Sequence, residues 1–266
     1  MNLDDKLISL KKYLRNLGSI LVAYSSGVDS TFLLKVAHDE LKENVIAVTF
    51  KSCFFTQKEL KEACEFCKKE NITHIIIDID ILKIKEIREN PSDRCYICKK
   101  ELFKKAIEIA NQYGIKNIIE GSNIDDISDY RPGMKAISEL EILSPLKDCN
   151  FSKFEIRELS KQLKLKTAQK PSMACLASRI PYGEIISEIK LKMIERAENF
   201  LFNLEFKQLR VRLHGENTAR IEILQDEFYK LIELREKIVE KFKEIGFKYI
   251  SLDIEGYRTG SWNQLI

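Results

Sequence analysis

Cysteine is the residue type in this sequence with the widest range of possible chemistry. Cys175 lies in the stretch PSMACLASRIPYG, residues 171–183, between a proline and an arginine. A thiol in such a position can fill the core, act as a nucleophile, donate its sulfur or bind a metal. The stretch has no helical periodicity, and its Pro, Gly and Arg predict a shaped loop rather than a core element. The other motifs must decide among these four roles.

A Cys-x-x-Cys pair, Cys95 and Cys98, lies in SDRCYICKKELF at the start of a predicted helix. The free N–H groups of a helix N-terminus, together with Arg94 and Lys99, favour the thiolate form. The pair therefore suits metal binding or redox chemistry. A thioredoxin-like dithiol or a chance spacing in a helix would produce the same pattern.

The remaining cysteines carry weaker signals. Cys64 and Cys67 lie at helical spacing with apolar residues, which predicts the buried face of an amphipathic helix. A zinc site made from both Cys-x-x-Cys pairs is conceivable, but residues 68–94 separate the pairs, a longer spacing than zinc knuckles usually have. Cys53 and Cys149 are isolated, and we assign them no chemistry.

The stretch SSGVDS, residues 25–30, follows the apolar run SILVAY and precedes the helical pattern TFLLKVAHDEL. Small residues at a helix N-terminus leave backbone N–H groups free to bind a phosphate, assisted by the helix dipole. The stretch lacks the lysine of a Walker A loop and the glycine spacing of a dinucleotide fingerprint. The alternative interpretation is a simple helix cap formed by Ser25 or Asp29.

A second polar loop, EGSNIDDISDYRPG at residues 120–133, follows another predicted strand. Asp125, Asp126 and Asp129 could bind Mg²⁺ through their oxygens or could simply solvate the loop. Arg131 is a candidate clamp for a phosphate group.

Near the C-terminus, RVRLHGENTARIEI has the alternation of a hairpin. Arg210, Arg212 and His214 share one strand face, and Arg220 and Glu222 share a face of the next strand. Two neighbouring guanidinium groups suit a phosphate monoester. The alternative is a solvated face of a sheet.

These motifs need a scaffold, and the first part of the chain predicts an α/β fold. Apolar strands such as NVIAVTF, THIIIDI and NIIEG alternate with helical patterns, which indicates a parallel sheet covered by helices on both faces. Ligands of such sheets bind beyond the carboxyl ends of the strands, so the loops after Tyr24, Phe50 and Glu120 are the expected binding region.

The pattern changes after about residue 168. A helix from about Ser187 to Leu204 precedes the hairpin, and a helix near Asp226 to Phe242 and the strand KYISLDI follow it. We therefore predict two domains, residues 1–168 with the parallel sheet and residues 169–266 with a smaller α+β fold. The boundary segment KLKTAQKPS carries turn and charge signals.

Composition limits the classes of partner. The 266 residues contain 44 basic and 41 acidic side chains, so charge alone predicts no strong attraction to nucleic acid or membranes. The N-terminus has neither a signal peptide pattern nor an apolar span, and we expect a cytoplasmic protein. The odd number of cysteines, seven, argues for reduced thiols or metal chemistry rather than disulfides.

The motifs together resemble a known family. SSGVDS resembles the SGGxDS loop of the PP-loop ATP pyrophosphatases, which cleave ATP between its α and β phosphates and adenylate a substrate; Ser26 stands where that family usually has glycine. With GSNIDDISDYRPG, CLASRIPYG and LDIEGYRTGSWN, the chain resembles over nearly its full length the LarE-type sulfur transferases of this superfamily. Those proteins supply sulfur for the nickel-pincer nucleotide cofactor.

The resemblance implies ATP and Mg²⁺ as ligands and a pyridinium dicarboxylate mononucleotide as the substrate. Asp29 and Cys175 would be catalytic. The residues implied for ATP are Ser25, Ser26, Gly27, Val28, Asp29, Ser30, Gly121, Asp126 and Arg131. The residues implied for the phosphate of the substrate are Ser178, Arg179, Glu198, Arg210 and Arg212.

Two sulfur sources exist in the resembled family. In one version a cysteine matching Cys175 gives up its sulfur and becomes dehydroalanine; in the other, cysteines matching Cys95, Cys98 and Cys175 hold a [4Fe-4S] cluster with one open iron. All three cysteines are present here, so we expect the cluster, with sacrificial transfer as the alternative. The family also forms hexamers, which implies a homo-oligomer. The source of sulfide does not follow from the sequence.

Two further interpretations stay open. Relatives with the same loop type thiolate tRNA bases, although the modest charge and the missing RNA-binding module argue against RNA. A nucleotide-binding iron–sulfur protein without turnover is the other.

Overall fold

A computed structural model describes residues 2–127, 132–171 and 174–258. The chain forms two compact units, which we describe separately. The first unit consists of Met1–Ile79 and Asp93–Met173, and the second consists of Asp80–Ser92 and Ala174–Ile266. The predicted assignment of ATP binding to residues 1–168 and substrate binding to residues 169–266 stays a prediction.

The described chain contains helices, strands and short 3₁₀ turns. The helices are α1 (Leu3–Leu17), α2 (Val28–Leu41), α3 (Gln57–Glu70), α4 (Lys85–Arg88), α5 (Arg94–Gln112), α6 (Gly133–Glu139), α7 (Pro145–Asp148), α8 (Lys153–Gln162), α9 (Glu188–Asn203), α10 (Phe228–Glu233) and α11 (Arg235–Ile245). The strands are β1 (Ile20–Ala23), β2 (Val45–Lys51), β3 (Thr73–Asp78), β4 (Asn117–Ile119), β5 (Leu209–His214), β6 (Thr218–Ile223) and β7 (Tyr249–Leu252).

The first unit contains a four-stranded sheet in the order β3-β2-β1-β4. All neighbouring strands are parallel, and Ile20 of β1 pairs with Val45 on one side and Asn117 on the other. This arrangement confirms the predicted parallel α/β fold. The carboxyl ends of β1 and β4 therefore lie next to each other, where the phosphate loop was predicted.

Both faces of the central strands β1 and β2 are largely buried, which explains why these strands are continuous apolar runs, whereas the edge strand β3 is partly exposed. Ile20 and Val22 pack into one core cluster, which also contains residues of α1, α2, α3 and α8. Leu21, between them, packs into a second cluster with Phe103 and Ala106 of α5. The strict alternation of strand side chains sends neighbours to opposite faces.

The second unit contains the three-stranded sheet β5-β6-β7. β5 and β6 form the predicted antiparallel hairpin, with Arg212 opposite Arg220, and β7 pairs in parallel with β6. The helix predicted near residues 226–242 is divided into α10 and α11. The division occurs at Leu234, whose backbone (φ −90°, ψ 6°) leaves the helical region.

In the described part of the chain, no helix combines the length and apolar composition needed to cross a lipid bilayer.

Candidate functional site

The phosphate loop lies at the carboxyl end of β1, as predicted. α2 begins at Val28, and Gly27 is its N-cap residue without a side-chain hydrogen bond to the helix end. The interpretation of SSGVDS as a side-chain cap formed by Ser25 or Asp29 is therefore wrong. The N–H groups of the first turn of α2 have no partner within the helix, so they can bind an anion.

Ser26 occupies the left-handed region of backbone conformation, with φ 54°. This is the position where the PP-loop pattern has glycine, and the positive φ is a conformation that glycine adopts more readily than serine. Its hydroxyl donates to the carbonyl of Glu59 at 3.1 Å. Lys170 Nζ donates to the Ser26 carbonyl oxygen at 3.0 Å and lies 3.3 Å from its hydroxyl. These contacts hold Ser26 in a conformation that serine alone disfavours.

Hydroxyl groups and a glycine complete the loop. The Ser25 and Ser30 hydroxyls lie 3.1 Å apart, and the Ser30 hydroxyl also donates to the Gly27 carbonyl. Gly121, just beyond β4, packs against the start of α2, since a Cβ there would lie only 3.0 Å from Ser30 N. The predicted loop residues 25–30 and Gly121 are thus close together.

Asp29 points into a crowded polar environment. Its Oδ2 forms an ion pair with Lys153 Nζ, and Oδ1 is buried without a hydrogen-bond partner among the described residues. Burial raises the pKa of Asp29; the charge of Lys153 opposes this shift, and the charge of Asp126 adds to it. An oxygen with free lone pairs beside a second carboxylate fits a divalent cation carried by ATP.

The neighbouring aspartates organise their own loop. Asp126 Oδ2 accepts from the backbone N–H of Asn123 at 3.0 Å, and Asp125 Oδ2 accepts from the backbone N–H of Lys153 at 2.8 Å. The charge of Asp126 reaches Asp29, whereas Asp125 fixes the start of α8. Asp129 and Arg131, the other predicted residues of this loop, lie outside the described residues.

Two lysines of this site were missed by the sequence analysis. Lys153 and Lys170 reach the loop from positions 124 and 144 residues along the chain from their partners. Arg157 of α8 donates to the carbonyls of Ala168 and Lys170, which fixes the segment that carries Lys170. Lys153 is the first residue of α8, where a cation opposes the helix dipole. This unusual position is a sequence signal that could have indicated Lys153, and Lys170 has no such signal.

Cys95 and Cys98 lie at the start of α5, as its second and fifth residues, as the sequence predicted. Neither forms a disulfide, both are partly exposed, and Arg94 Nη2 lies 3.9 Å from Cys95 Sγ. A helix N-terminus and a nearby guanidinium favour thiolates. Thiolates are the usual ligands of iron–sulfur clusters, so the chemistry of this pair fits such a group.

Cys175 belongs to the second unit, where it precedes the short 3₁₀ turn Leu176–Arg179. It is a free, partly exposed thiol, and its carbonyl accepts from Arg179 Nη1 at 3.0 Å. The interpretation as core filler is therefore the weakest of the four. Within the described residues, no group of three or more His, Cys, Asp or Glu side chains has the geometry of a metal site.

The predicted substrate residues lie together in the second unit around two buried ion pairs. Arg179 is fully buried and forms two parallel hydrogen bonds of 2.9 Å with Glu198 of α9. Its third nitrogen donates to the Ser178 hydroxyl at 3.0 Å. Glu198 also accepts from the backbone N–H of Val211 at 3.0 Å, which joins α9 to the edge of β5.

Arg212 makes the second pair. Its Nε and Nη2 donate to the two oxygens of the buried Glu222 at 2.9 and 3.0 Å, and Nη1 donates to the carbonyl of Ser178 at 2.6 Å. Arg220 binds the same carboxylate at 3.0 Å. Arg210 and Arg212 are each only 5% exposed, so the interpretation as a solvated sheet face is wrong.

Arg210 is held by an aromatic ring that the sequence analysis did not single out. Its guanidinium carbon lies 5.2 Å from the centroid of Tyr257, and Nη1 donates to the Leu209 carbonyl at 2.7 Å. Burial lowers the pKa of Arg210, and the nearby positive Arg179 lowers it further against the charge of Glu198. Since buried positive charges repel here, an anion would stabilise the cluster.

The chain is similar in sequence to several known proteins. A family model described as "Queuosine biosynthesis protein QueC" matches residues 19–90. An uncharacterized protein of Synechocystis sp. is 38% identical over 266 residues, which are 99% of this chain and 99% of that protein. An uncharacterized protein of Methanocaldococcus jannaschii is 35% identical over 257 residues, 96% of this chain and 98% of that protein.

A relative with a stated activity also matches from end to end. The pyridinium-3,5-bisthiocarboxylic acid mononucleotide synthase of Lactiplantibacillus plantarum is 32% identical over 265 residues, 99% of this chain and 96% of that protein. The resemblance predicted from the sequence motifs is confirmed. The chain belongs to the LarE family of ATP-dependent sulfur transferases, within the PP-loop superfamily.

Proposed function

We propose that the protein converts a carboxylate of pyridinium-3,5-biscarboxylic acid mononucleotide into a thiocarboxylate, as a step in nickel-pincer nucleotide biosynthesis. The observation that carries this proposal is the end-to-end match to the synthase of Lactiplantibacillus plantarum. The phosphate loop and the buried arginines supply the two anion sites that such a reaction needs, one for ATP and one for a mononucleotide.

The first step activates the carboxylate. A carboxylate oxygen of the substrate attacks the α phosphorus of ATP, the bond from that phosphorus to the bridging oxygen breaks, and pyrophosphate leaves. The product is an acyl adenylate. The N–H groups at the start of α2 and the ion-paired Lys153 stabilise negative charge on the phosphates, so the loop contributes positioning and electrostatics.

The residues that we assign to ATP are 25–30, Gly121, Asp126 and Arg131. Asp29 and Asp126 would hold Mg²⁺, which supplies charge neutralisation on the phosphates when bound.

Arg179, Arg210 and Arg212, with Ser178 and Glu198, would bind the phosphate of the mononucleotide. The support is chemical: the guanidinium groups of Arg179 and Arg212 are kept in fixed planes by carboxylates, and such fixed forks match phosphate oxygens. The ion pairs orient the arginines, and the bound phosphate would offset the remaining positive charge.

The second step transfers sulfur. A sulfur nucleophile attacks the activated carbonyl carbon, the bond to the phosphate oxygen breaks and AMP leaves. We propose Cys95, Cys98 and Cys175 as ligands of a [4Fe-4S] cluster, which would supply sulfide when bound. The residues fit this role because their thiols are partly exposed and outside any disulfide and, for Cys95, because Arg94 is nearby.

The alternative donor is Cys175 itself. Its thiolate would attack the carbonyl carbon and form a thioester as AMP leaves. Loss of the α proton and cleavage of the Cβ–S bond would then leave dehydroalanine in the chain and release the thiocarboxylate. This route consumes the protein after one turnover.

The test is the acceptor dependence of pyrophosphate and AMP release. We expect both products when ATP and the pyridinium dicarboxylate mononucleotide are supplied together, and neither product with the mononucleotide omitted or replaced by bulk tRNA. Arg212→Met should raise KM for the mononucleotide, whereas Arg196→Met, an exposed arginine of α9, should not. Release with tRNA alone would favour a tRNA thiolase, and nucleotide binding without release would indicate a protein without turnover.

A further inference from the structure

We propose that Lys170 is a positioning residue of the phosphate loop, which acts by holding Ser26 in its left-handed conformation. The inference rests on one part of the proposed function, namely that the loop binds ATP. It explains how the chain tolerates serine where the PP-loop pattern has glycine.

The contacts of Ser26 carry the first step. Ser26 is 1% exposed and has φ 54°, a conformation that side chains other than glycine disfavour. Its hydroxyl is bound to the Glu59 carbonyl of α3, and its carbonyl oxygen is bound by Lys170. Both polar groups of the residue are therefore engaged in this conformation.

Lys170 is itself held rigidly. Its side chain is 17% exposed and forms an ion pair of 2.6 Å with Glu62 of α3. Its backbone carbonyl accepts from Arg157 Nη2 at 2.8 Å. Lys170 thus connects three segments: α3, the loop and its own segment, which follows the 3₁₀ turn Lys166–Gln169. A lysine with these fixed partners can impose a geometry on the loop.

The geometry of one peptide links Lys170 to the anion site. A trans peptide is planar, and its C=O and N–H point in opposite directions. When Lys170 binds the Ser26 carbonyl, the N–H of Gly27 must point to the other side of the loop. Gly27 is the N-cap residue of α2, next to the free N–H groups of the first turn. Fixing the carbonyl therefore fixes a donor of the phosphate loop.

The test is a double-mutant cycle with the intact chain, using Lys170→Met and Ser26→Gly singly and together. The probe is α,β-methylene ATP, which cannot be cleaved between its α and β phosphates. In the chain that keeps Ser26, Lys170→Met should weaken binding about tenfold, the size of one charge-assisted hydrogen bond. In the Ser26→Gly chain the same change should weaken binding about threefold or less, because glycine reaches this conformation unaided.

Two further variants separate this role from loss of charge or loss of fold. Lys170→Arg keeps a cation that can bind both the Ser26 carbonyl and Glu62, and it should retain most of the affinity. Lys166→Met removes an exposed lysine from the same segment and should leave the affinity unchanged. An equal loss on Lys170→Met with and without the Ser26→Gly change, or no loss in either case, would overturn the inference.

Urea unfolding without nucleotide distinguishes this inference from the proposed function. The four proteins compared are the wild type, Lys170→Met, Ser26→Gly and the double variant. Coupling between the two positions in unfolding, with no binding of the ATP analogue by the wild type, would support the contact and reject ATP binding. If the wild type binds the ATP analogue but the two substitutions have additive effects on unfolding, ATP binding would be supported and the contact would be rejected.

Discussion

At the scale of single residues, the second unit depends on charges that are buried in pairs. Arg179 is fully buried, and Glu198 is almost so. Removing one member of such a pair leaves the other charge without compensation in a region of low dielectric constant. The stability of the unit should therefore depend more on the balance of charges than on the number of ion pairs.

Arg179→Met should destabilise the protein by about 3 kcal/mol, because Glu198 is left buried without its cation. The double variant Arg179→Met with Glu198→Met should recover part of this loss, since it buries no charge. Urea unfolding measures the change. Arg196→Met, on the exposed side of α9, is the control and should cost less than about 0.5 kcal/mol. A similar small cost for Arg179→Met would contradict the argument.

The sequence analysis selected Arg210 and Arg212 as candidate substrate residues but did not predict the contacts that hold them. Arg210 and Arg212 were identified because alternation along a strand places them on one face. The hairpin register places Arg212 opposite Arg220, so its ion pair with the diagonal neighbour Glu222 does not follow from register alone. The ring of Tyr257 lies 47 residues from Arg210 and could not be inferred from spacing. Lys153 and Lys170 were missed for the same reason.

At the scale of elements, the phosphate loop depends on close packing between the end of β4 and the start of α2. Gly121 is the contact point: a Cβ there would lie 3.0 Å from Ser30 N and 3.2 Å from Ser30 Cα. Both are backbone atoms, which cannot rotate away. A larger residue must therefore push the two elements apart.

Gly121→Ala should destabilise the protein by about 1–3 kcal/mol and weaken the binding of α,β-methylene ATP, because the first turn of α2 is displaced. Unfolding in urea and nucleotide titration measure the two effects. Gly133→Ala is the matched control, since its Cβ meets only the flexible chain of Lys99. If Gly121→Ala and Gly133→Ala changed stability and nucleotide affinity equally, the close contact at Gly121 would have no energetic cost.

Element type was the part of the fold that sequence predicted best. The continuous apolar strands and the hairpin with alternating residues were confirmed. A strand buried on both faces is apolar throughout, and a strand buried on one face alternates apolar and polar residues, so both can be read from the sequence. The parallel pairing of β7 with β6 and the division at Leu234 were not predicted. The pairing of β7 with β6 joins segments that are distant in the sequence, which no local pattern encodes.

At the scale of the whole molecule, the second unit includes a segment from far upstream. Residues 80–92 belong to it, and Asn90 provides the connection: its carbonyl accepts from Gly183 N at 2.8 Å, and its amide donates to the Pro181 carbonyl at 2.6 Å. Asn90 has φ 57°, which asparagine tolerates better than most residues. Nothing in the local sequence of this segment indicates a partner so far along the chain.

The cysteines proposed as cluster ligands are separated along the sequence, so their test must use the intact chain. Anaerobically purified protein should contain about four iron and four acid-labile sulfide ions per chain, the content of one [4Fe-4S] cluster. Cys95→Ala, Cys98→Ala and Cys175→Ala should each lose most of both ions. Cys64→Ala is the matched control, because it removes a partly exposed thiol of the other Cys-x-x-Cys pair, and it should keep them.

The pattern of loss separates the two sulfur sources. Loss in all three variants, with retention in Cys64→Ala, would support a cluster with one iron free to bind the transferred sulfide. Protein that stays free of iron after reconstitution, and whose Cys175 loses the mass of H₂S in a single turnover, would make that residue the sacrificial donor. Retention of iron in Cys175→Ala would remove Cys175 from the ligand set, because its thiolate would then be unnecessary for holding the cluster.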